Sequence, residues 1–353
     1  MSGCEACEPT SKITGAVVRL YLWPTNQASG EKLARLASNL PVTARDLEDQ
    51  SQSWDIAADD LESVLTAVGA GLLPEERDGA KVLLMELGKE PGLGDFRRVL
   101  SLERMIGLQQ ARWLTDLLAE GRLRTHFQPI IDARAPDQII AQECLLRGVD
   151  SEGELISPGA LFGAAKQAGL LFQLDLAARR KAVQSIAEHK LTSLAFINFT
   201  PTSIYDPATC LRSTVAAVQE LGLSPNQIVF EIIETEHAEE NLLRSILAVY
   251  RSAGFKVAIE DFGAGYSSMN LILALRPDYL KLDMELIRGI NKDPYKGELA
   301  SSLLETARNL SILTIAEGVE TKEEWEWVRD HGADLVQGYY FARPGNPPPT
   351  LPA

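Results

Sequence analysis

The chain has 353 residues, 45% of them hydrophobic and 24% charged, a globular profile long enough for two domains or for one barrel with an accessory segment. Its net charge of −15 excludes a general nucleic-acid or anionic-membrane binder, since both need a basic face. A phosphate substrate stays open, because bound divalent cations reverse the local field. The four cysteines, Cys4, Cys7, Cys144 and Cys210, are too few for a disulfide scaffold and suit a reducing cytoplasm. Cys4 and Cys7 form a C-x-x-C without the second ligand pair that a structural zinc needs. The first twelve residues lack a secretory apolar core, and no apolar run approaches the roughly 18 residues of a membrane span. The expectation is a soluble cytoplasmic protein that binds neither DNA nor membrane.

In chain order, residues 1–15 read as a flexible terminus. A small α+β accessory domain is expected over 16–95. It holds a strand at 16–22 (AVVRLYL), helices at 30–40 and 59–68, a buried strand at 81–85 (KVLLM) and a Gly/Pro-rich loop at 88–95. Leu102, Met105, Ile106, Trp113 and Leu117 then place one face of a connecting helix over 97–121. From 122 to 347 strands and helices alternate in the manner of a (β/α)8 barrel. Strands are expected at 125–131, 139–146, 194–199, 228–233, 256–261, 279–282, 313–317 and 335–341. Helices are expected at 158–168, 175–188, 214–221, 239–252, 296–309 and 322–330. The short turn ARAPDQ between the first two strands leaves no room for a helical crossover. An antiparallel hairpin should therefore open a modified TIM barrel.

Six segments set carboxylates or amides where these strands run out: Glu143 in QECLLRG, Asn198 in INFTP, Glu231 and Glu234 in FEIIETE, Glu260 and Asp261 in AIEDFGAGYSS, Glu317 and Glu320 in AEGVET, and Gln337 in VQGYYF. Buried acids are costly unless they are paired or bind a metal, and a barrel delivers its strand ends to one face. Adjacent carboxylates at 260 and 261 suit a pair of divalent cations. Glu143 and Arg147, four apart, read either as a surface ion pair or as a metal ligand beside a phosphate-binding arginine. Asn198 is either a turn residue or a neutral oxygen ligand. Glu231 and Glu234 would face opposite ways in a continuing strand. Lys281 in YLKLD either faces the barrel or pairs with Asp283. The four histidines, His126, His189, His237 and His331, show no metal-binding spacing. The donor set is therefore oxygen-rich and favours Mg²⁺ or Mn²⁺ over Zn²⁺. Asp261-Phe262-Gly263 invites a kinase reading, which fails for want of the H-R-D and V-A-I-K elements.

Taken in order, ECLLRG, FQPIID, NFTP, FEIIETE, EDFGAGYSS, KLD, AEGVET and QGYYFARP resemble the EAL-domain cyclic-di-GMP phosphodiesterases over about 122–345. The resemblance implies hydrolysis of one phosphodiester bond of cyclic-di-GMP to linear pGpG by a two-metal mechanism. Glu143, Asn198, Glu231 and Glu260 would hold one Mg²⁺ or Mn²⁺, and Glu260 would bridge to a second held with Asp261 and Glu317. Lys281 would orient the attacking water and Glu317 would also act as general base. Arg147, Gln337, Gln128 and Leu146 would contact substrate, and Glu234 would anchor the loop after Phe262. A homodimer is implied, and no diguanylate cyclase segment accompanies the barrel. Two positions depart from the family pattern: Cys144 replaces Ala in the signature, and Glu260 replaces the first Asp of an Asp-Asp pair. The alternative implied is a weak or silent domain acting as a cyclic-di-GMP receptor.

Overall fold

Along each strand after residue 122, apolar side chains two apart point to the same side, and in three dimensions this builds a closed barrel. The computed structural model describes residues 16–204, 206–207, 211–233, 240–263 and 268–351. Cys4, Cys7, Cys210, Glu234, His237 and most of the GAGYSS loop lie outside them. Two units are distinguished: one runs to Glu120 and adds Gly159–Gln173, and the other comprises Gly121–Pro158 with Leu174 onward. No helix among the described residues is long and apolar enough to cross a membrane.

In the first unit, strands β1 (Val17–Trp23), β2 (Val42–Asp46), β3 (Gln52–Ala57), β4 (Lys81–Glu86) and β5 (Leu100–Ser101) form an antiparallel sheet in the order β2-β3-β1-β4-β5. Helices Gln27–Ala37 and Leu61–Gly71 cover one face. Their Leu33, Val64, Leu65 and Val68 pack with Leu20, Leu22, Trp54, Ile56 and Val82 in one buried core. The single connecting helix expected here is instead two, Leu102–Gln110 and Arg112–Ala119, broken at Ala111, whose φ and ψ are −94° and 16°. Gly107 lets the first of them approach closely: a Cβ there would stand 2.2 Å from the Gln167 carbonyl oxygen, at the end of helix Pro158–Ala168.

In the second unit, β6 (Leu123–Asp132), β7 (Ile139–Val149), β9 (Leu194–Phe199), β10 (Ile228–Ile233), β11 (Lys256–Phe262), β12 (Tyr279–Leu282), β13 (Leu313–Ala316) and β14 (Leu335–Val336) close an eight-stranded barrel, with β8 (Leu155–Ile156) added beside β7. β6 is antiparallel to both β7 and β14, so the expected opening hairpin is present. The other neighbouring pairs of the barrel are parallel, and the added β8 is antiparallel to β7. Ile130, Ala141, Phe196, Val229, Ala258, Tyr279, Ile315 and Leu335, one from each strand, form a single buried layer that floors the barrel. The helices around it carry ordinary start signals. Asp293 caps Pro294–Asn309 by accepting from Tyr295 N at 3.0 Å, and Thr321 and Glu324 form a capping box on Lys322–Asp330.

Candidate active site

The floor layer fixes what stands above it. Two residues on from each floor residue, toward the C-terminal mouth, come Glu143, Asn198, Glu231, Glu260, Lys281, Glu317 and Gln337. β6 runs the other way, so its member is two residues back, Gln128. The strand period of two thus lifts the chemistry-bearing side chains into one ring over an apolar base.

Lys281 is fully buried at the centre of that ring. Its Nζ lies 2.6 Å from Glu231, 2.7 Å from Glu317, 3.4 Å from Glu143 and 3.5 Å from Glu260. It does not pair with Asp283, whose carboxylate instead accepts from Glu285 N at 2.7 Å and caps the next helical turn. Burial alone would lower the lysine pKa, but the surrounding carboxylates outweigh it and hold the ammonium well above its usual value. Gln337 Nε2 donates to Glu143 at 2.6 Å and to Gln128 Oε1 at 3.1 Å, and Asn198 Nδ2 donates to Glu143 at 3.2 Å.

Asp261 joins the ring by a break in the strand. β11 loses its register against β12 between Ile259 and Phe262, and Asp261 adopts φ 55°. A bulge re-aims side chains, and aspartate tolerates this left-handed backbone better than most residues. Neighbours that a regular strand would send to opposite faces therefore serve one site. One oxygen each from Glu143, Glu231 and Glu260 lies within 4.8 Å of the others, and the same holds for Glu260, Asp261 and Glu317.

The electrostatics are unbalanced: five carboxylates share one ammonium. Burial pushes Glu260 up to about 8 and Glu317 up to about 7. Burial likewise raises Glu231 well above the carboxylate range, and it raises Asp261, with the Asp283 carboxyl beside Asp261 adding to the shift. Glu231 has no exposed surface; its Oε1 is paired with the Lys281 ammonium at 2.6 Å, while its Oε2 has no hydrogen-bond partner among the described residues. A buried acceptor left this way calls for a cation. An all-oxygen donor set of carboxylates and one amide fits a hard divalent ion.

Above the ring opens a cavity of about 370 Å³, lined by Gln128, Glu143, Glu260, Asp261, Glu317 and Gln337 and, farther out, by Asp283, Met284, Arg288, Glu320 and Tyr339. Arg147 and Leu146 stand farther along β7. The Arg147 guanidinium donates to the Leu146 carbonyl at 2.7 Å and does not enter the ring, and burial lowers its pKa. Cys144 is buried and free, its thiol pushed up by burial. Sequence reasoning passed over Met284, Arg288 and Tyr339. Nothing marks them as site residues except their position just past strands β12 and β14.

A family model described as the EAL domain matches residues 111–344. The chain is 27% identical over 285 residues to the probable cyclic di-GMP phosphodiesterase PdeB of Escherichia coli, covering 80% of this chain and 54% of that protein. It is 30% identical over 312 residues to the cyclic di-GMP phosphodiesterase NbdA of Pseudomonas aeruginosa, covering 84% of this chain and 39% of that protein. The chain thus spans about half, or less, of the length of these curated relatives. Among solved structures, a standalone EAL protein from Vibrio cholerae O395 with c-di-GMP bound is 34% identical, with a TM-score of 0.59, over 65% of this chain and 95% of that one. Klebsiella pneumoniae BlrP1 in a manganese and cyclic-di-GMP complex is 25% identical, with a TM-score of 0.58, over 93% of this chain and 96% of that one.

Proposed function

The chain belongs to the EAL-domain family, and from that premise we propose that it hydrolyses one phosphodiester bond of cyclic-di-GMP to give linear pGpG. The observation that carries this reading is the sharing of Glu260 between two carboxylate triads, which is the arrangement two adjacent divalent cations require. Glu143, Asn198, Glu231 and Glu260 would hold one Mg²⁺ or Mn²⁺, and Glu260, Asp261 and Glu317 the other. Two such ions offset the four charges by which the five carboxylates exceed Lys281. When bound, the cations supply an acidified water and neutralise charge that develops on the phosphoryl oxygens.

The chain's own residues do the rest. Lys281, held rigidly by four carboxylates, orients the attacking water with its ammonium protons. Glu317, beside it, takes the proton that this water gives up. Gln337 fixes the Glu143 carboxylate by donating to it, Gln128 holds Gln337 in place by accepting its second hydrogen bond, and both face the substrate cavity. Arg147 clamps a substrate phosphate, Leu146 packs against the substrate, and Glu234 anchors the loop after Phe262. Homodimerisation and a cytoplasmic setting belong to the same proposal. The receptor reading draws on one observation, the glutamate at 260 where the family pattern has aspartate.

The test is incubation of the purified chain with cyclic-di-GMP and either Mg²⁺ or Mn²⁺, with products resolved by chromatography and Glu143→Ala as control. Metal-dependent pGpG that vanishes in the control is expected. Nucleotide binding with no product from either metal would replace the phosphodiesterase by the receptor.

A further inference from the structure

Carboxylates line the cavity, yet one cation reaches it: Arg288 is the only basic residue among its described lining residues. Its Nη2 lies 2.6 Å from Glu320 Oε1 at the rim, with the side chains 51% and 43% exposed. A pair that wet is screened by water and contributes little, so it opens readily. The backbones that carry the two residues are fixed, by contrast. Glu324, only 4% exposed, accepts from Gly289 N at 2.8 Å and from Glu320 N at 2.9 Å. One buried carboxylate therefore clips the turn after Arg288 to the loop that bears Glu320. Arg288 N donates to the Met284 carbonyl at 2.8 Å, and the Arg288 carbonyl accepts from Lys296 Nζ at 2.9 Å. Only the guanidinium end of the side chain is left to move.

A cyclic dinucleotide carries two phosphates, and hydrolysis engages one of them at the carboxylate ring. The other is an anion entering an acidic cavity, and it needs a donor. Lys281 cannot serve, because it is fully buried and held by four carboxylates, and Arg147, assigned above to one substrate phosphate, stands outside the cavity lining and leaves the other without a donor. We propose that Arg288 is a substrate-binding residue that exchanges Glu320 for the second, non-reacting phosphate, an inference that rests on the function proposed above. A guanidinium pairs with phosphate through two parallel charge-assisted hydrogen bonds, which outweigh a half-exposed ion pair. The contacted phosphate does not change during the reaction, so ground state and transition state gain equally. The contact therefore lowers KM and leaves kcat alone.

The test uses the full chain and its Arg288→Gln and Arg288→Lys variants. The Gln variant is expected to raise KM roughly 10-fold, the loss of a charge-assisted contact, with kcat within about two-fold and a weaker dependence of KM on salt. The Lys variant should recover part of the loss. Affinity is read separately by calorimetry in Ca²⁺, with cyclic-di-GMP and with inorganic pyrophosphate as probes. Unchanged KM and unchanged affinities in the Gln variant would overturn the proposal, as would a fall in kcat alone. If pyrophosphate binding depends on Arg288 while the wild type neither binds nor hydrolyses the dinucleotide, the anion contact stands and the substrate reading fails. If the wild type hydrolyses the dinucleotide and both affinities ignore Arg288, the reverse holds.

Discussion

Lys281 and Glu260 show how much a single side chain decides in this site. Four carboxylates stand 2.6 to 3.5 Å from the buried lysine ammonium. Removing it leaves them uncompensated, and breaking a buried pair from one side costs about 3–5 kcal/mol. Lys281→Met should therefore lower the stability of the metal-free protein by an amount of that order. Saturating Mn²⁺ should restore most of the stability but not the activity, which is expected to fall on the order of 10²-fold or more. Calorimetric melts in EDTA and in Mn²⁺, beside the hydrolysis assay, check both halves, and a variant that stays active would remove Lys281 from the chemistry. Glu260 is the longer homologue of the aspartate in the family pattern, and it belongs to both triads. Mg²⁺ demands stricter geometry than Mn²⁺, so the extra methylene should handicap Mg²⁺ more. Glu260→Asp is expected to raise the ratio of Mg²⁺- to Mn²⁺-supported turnover by roughly 3–10-fold, equivalent to about 1 kcal/mol of misfit relieved. An unchanged ratio would mean that the strand end absorbs the added length.

At the scale of elements, the close approach of the loop after β13 to the end of β14 sets the ring. A Cβ on Gly338 would stand 2.0 Å from the Val319 carbonyl oxygen and 2.4 Å from its nitrogen, both backbone atoms that cannot swing aside. Val319 N also donates to the Gln337 carbonyl at 3.1 Å, so the two segments are laced together there. Gly338→Ala should cost about 1–3 kcal/mol of overpacking. It should also move Gln337 off Glu143, lowering turnover more than the stability loss explains. A denaturant titration set against kcat checks this, and a variant that loses stability alone would separate the packing from the site. The same lacing explains one misread boundary. QGYYF, rich in aromatics, predicts a strand running to 341, but β14 stops at Val336 because the chain turns where Gly338 packs on Val319. Strands at 194–199, 228–233 and 279–282 were legible to the residue, because each is a short buried apolar run between turn signals. β2 left no such signal, since its residues after Val42 are exposed. Helix Ser268–Leu275 was overlooked, lying just after a Gly-rich stretch that reads as loop. The candidate ligands were legible because acids interrupt apolar strands. That Glu260 and Asp261 share a site was legible from their adjacency, but the backbone device that turns both inward was not, because the bulge and the left-handed residue are imposed only by the closed barrel.

At the scale of the whole molecule, the site couples stability to pH and to metal in a chain that already carries a net charge of −15. Glu260 is pushed up to about 8 and Glu317 to about 7, while Glu231 and Asp261 are raised as well. A carboxyl whose pKa is raised by folding keeps its proton in the fold after the unfolded chain has lost its own. Its contribution is therefore present at low pH and is lost as pH rises from the unfolded value, near 4.5, through the folded one. Groups of the opposite sign act lower down. Asp55 and Glu324, whose pKa values folding lowers, lose their contribution only as pH falls into the acid range, and burial of His126 lowers stability only below its usual 6.5. Among the shifted groups of the described residues, the window from pH 6.5 to 8 belongs to the raised carboxyls. In EDTA the unfolding midpoint should drop across that window, and Glu260→Gln, which has no proton to lose, should flatten the drop. Saturating Mn²⁺ should reverse the slope, because metal binds the deprotonated ligands and its stabilisation grows as they ionise. Melts of wild type and variant at matched pH, with and without Mn²⁺, read all three slopes. Identical slopes for wild type and Glu260→Gln in EDTA would remove this carboxyl from the linkage, and a metal-independent slope would remove the cation from the ring.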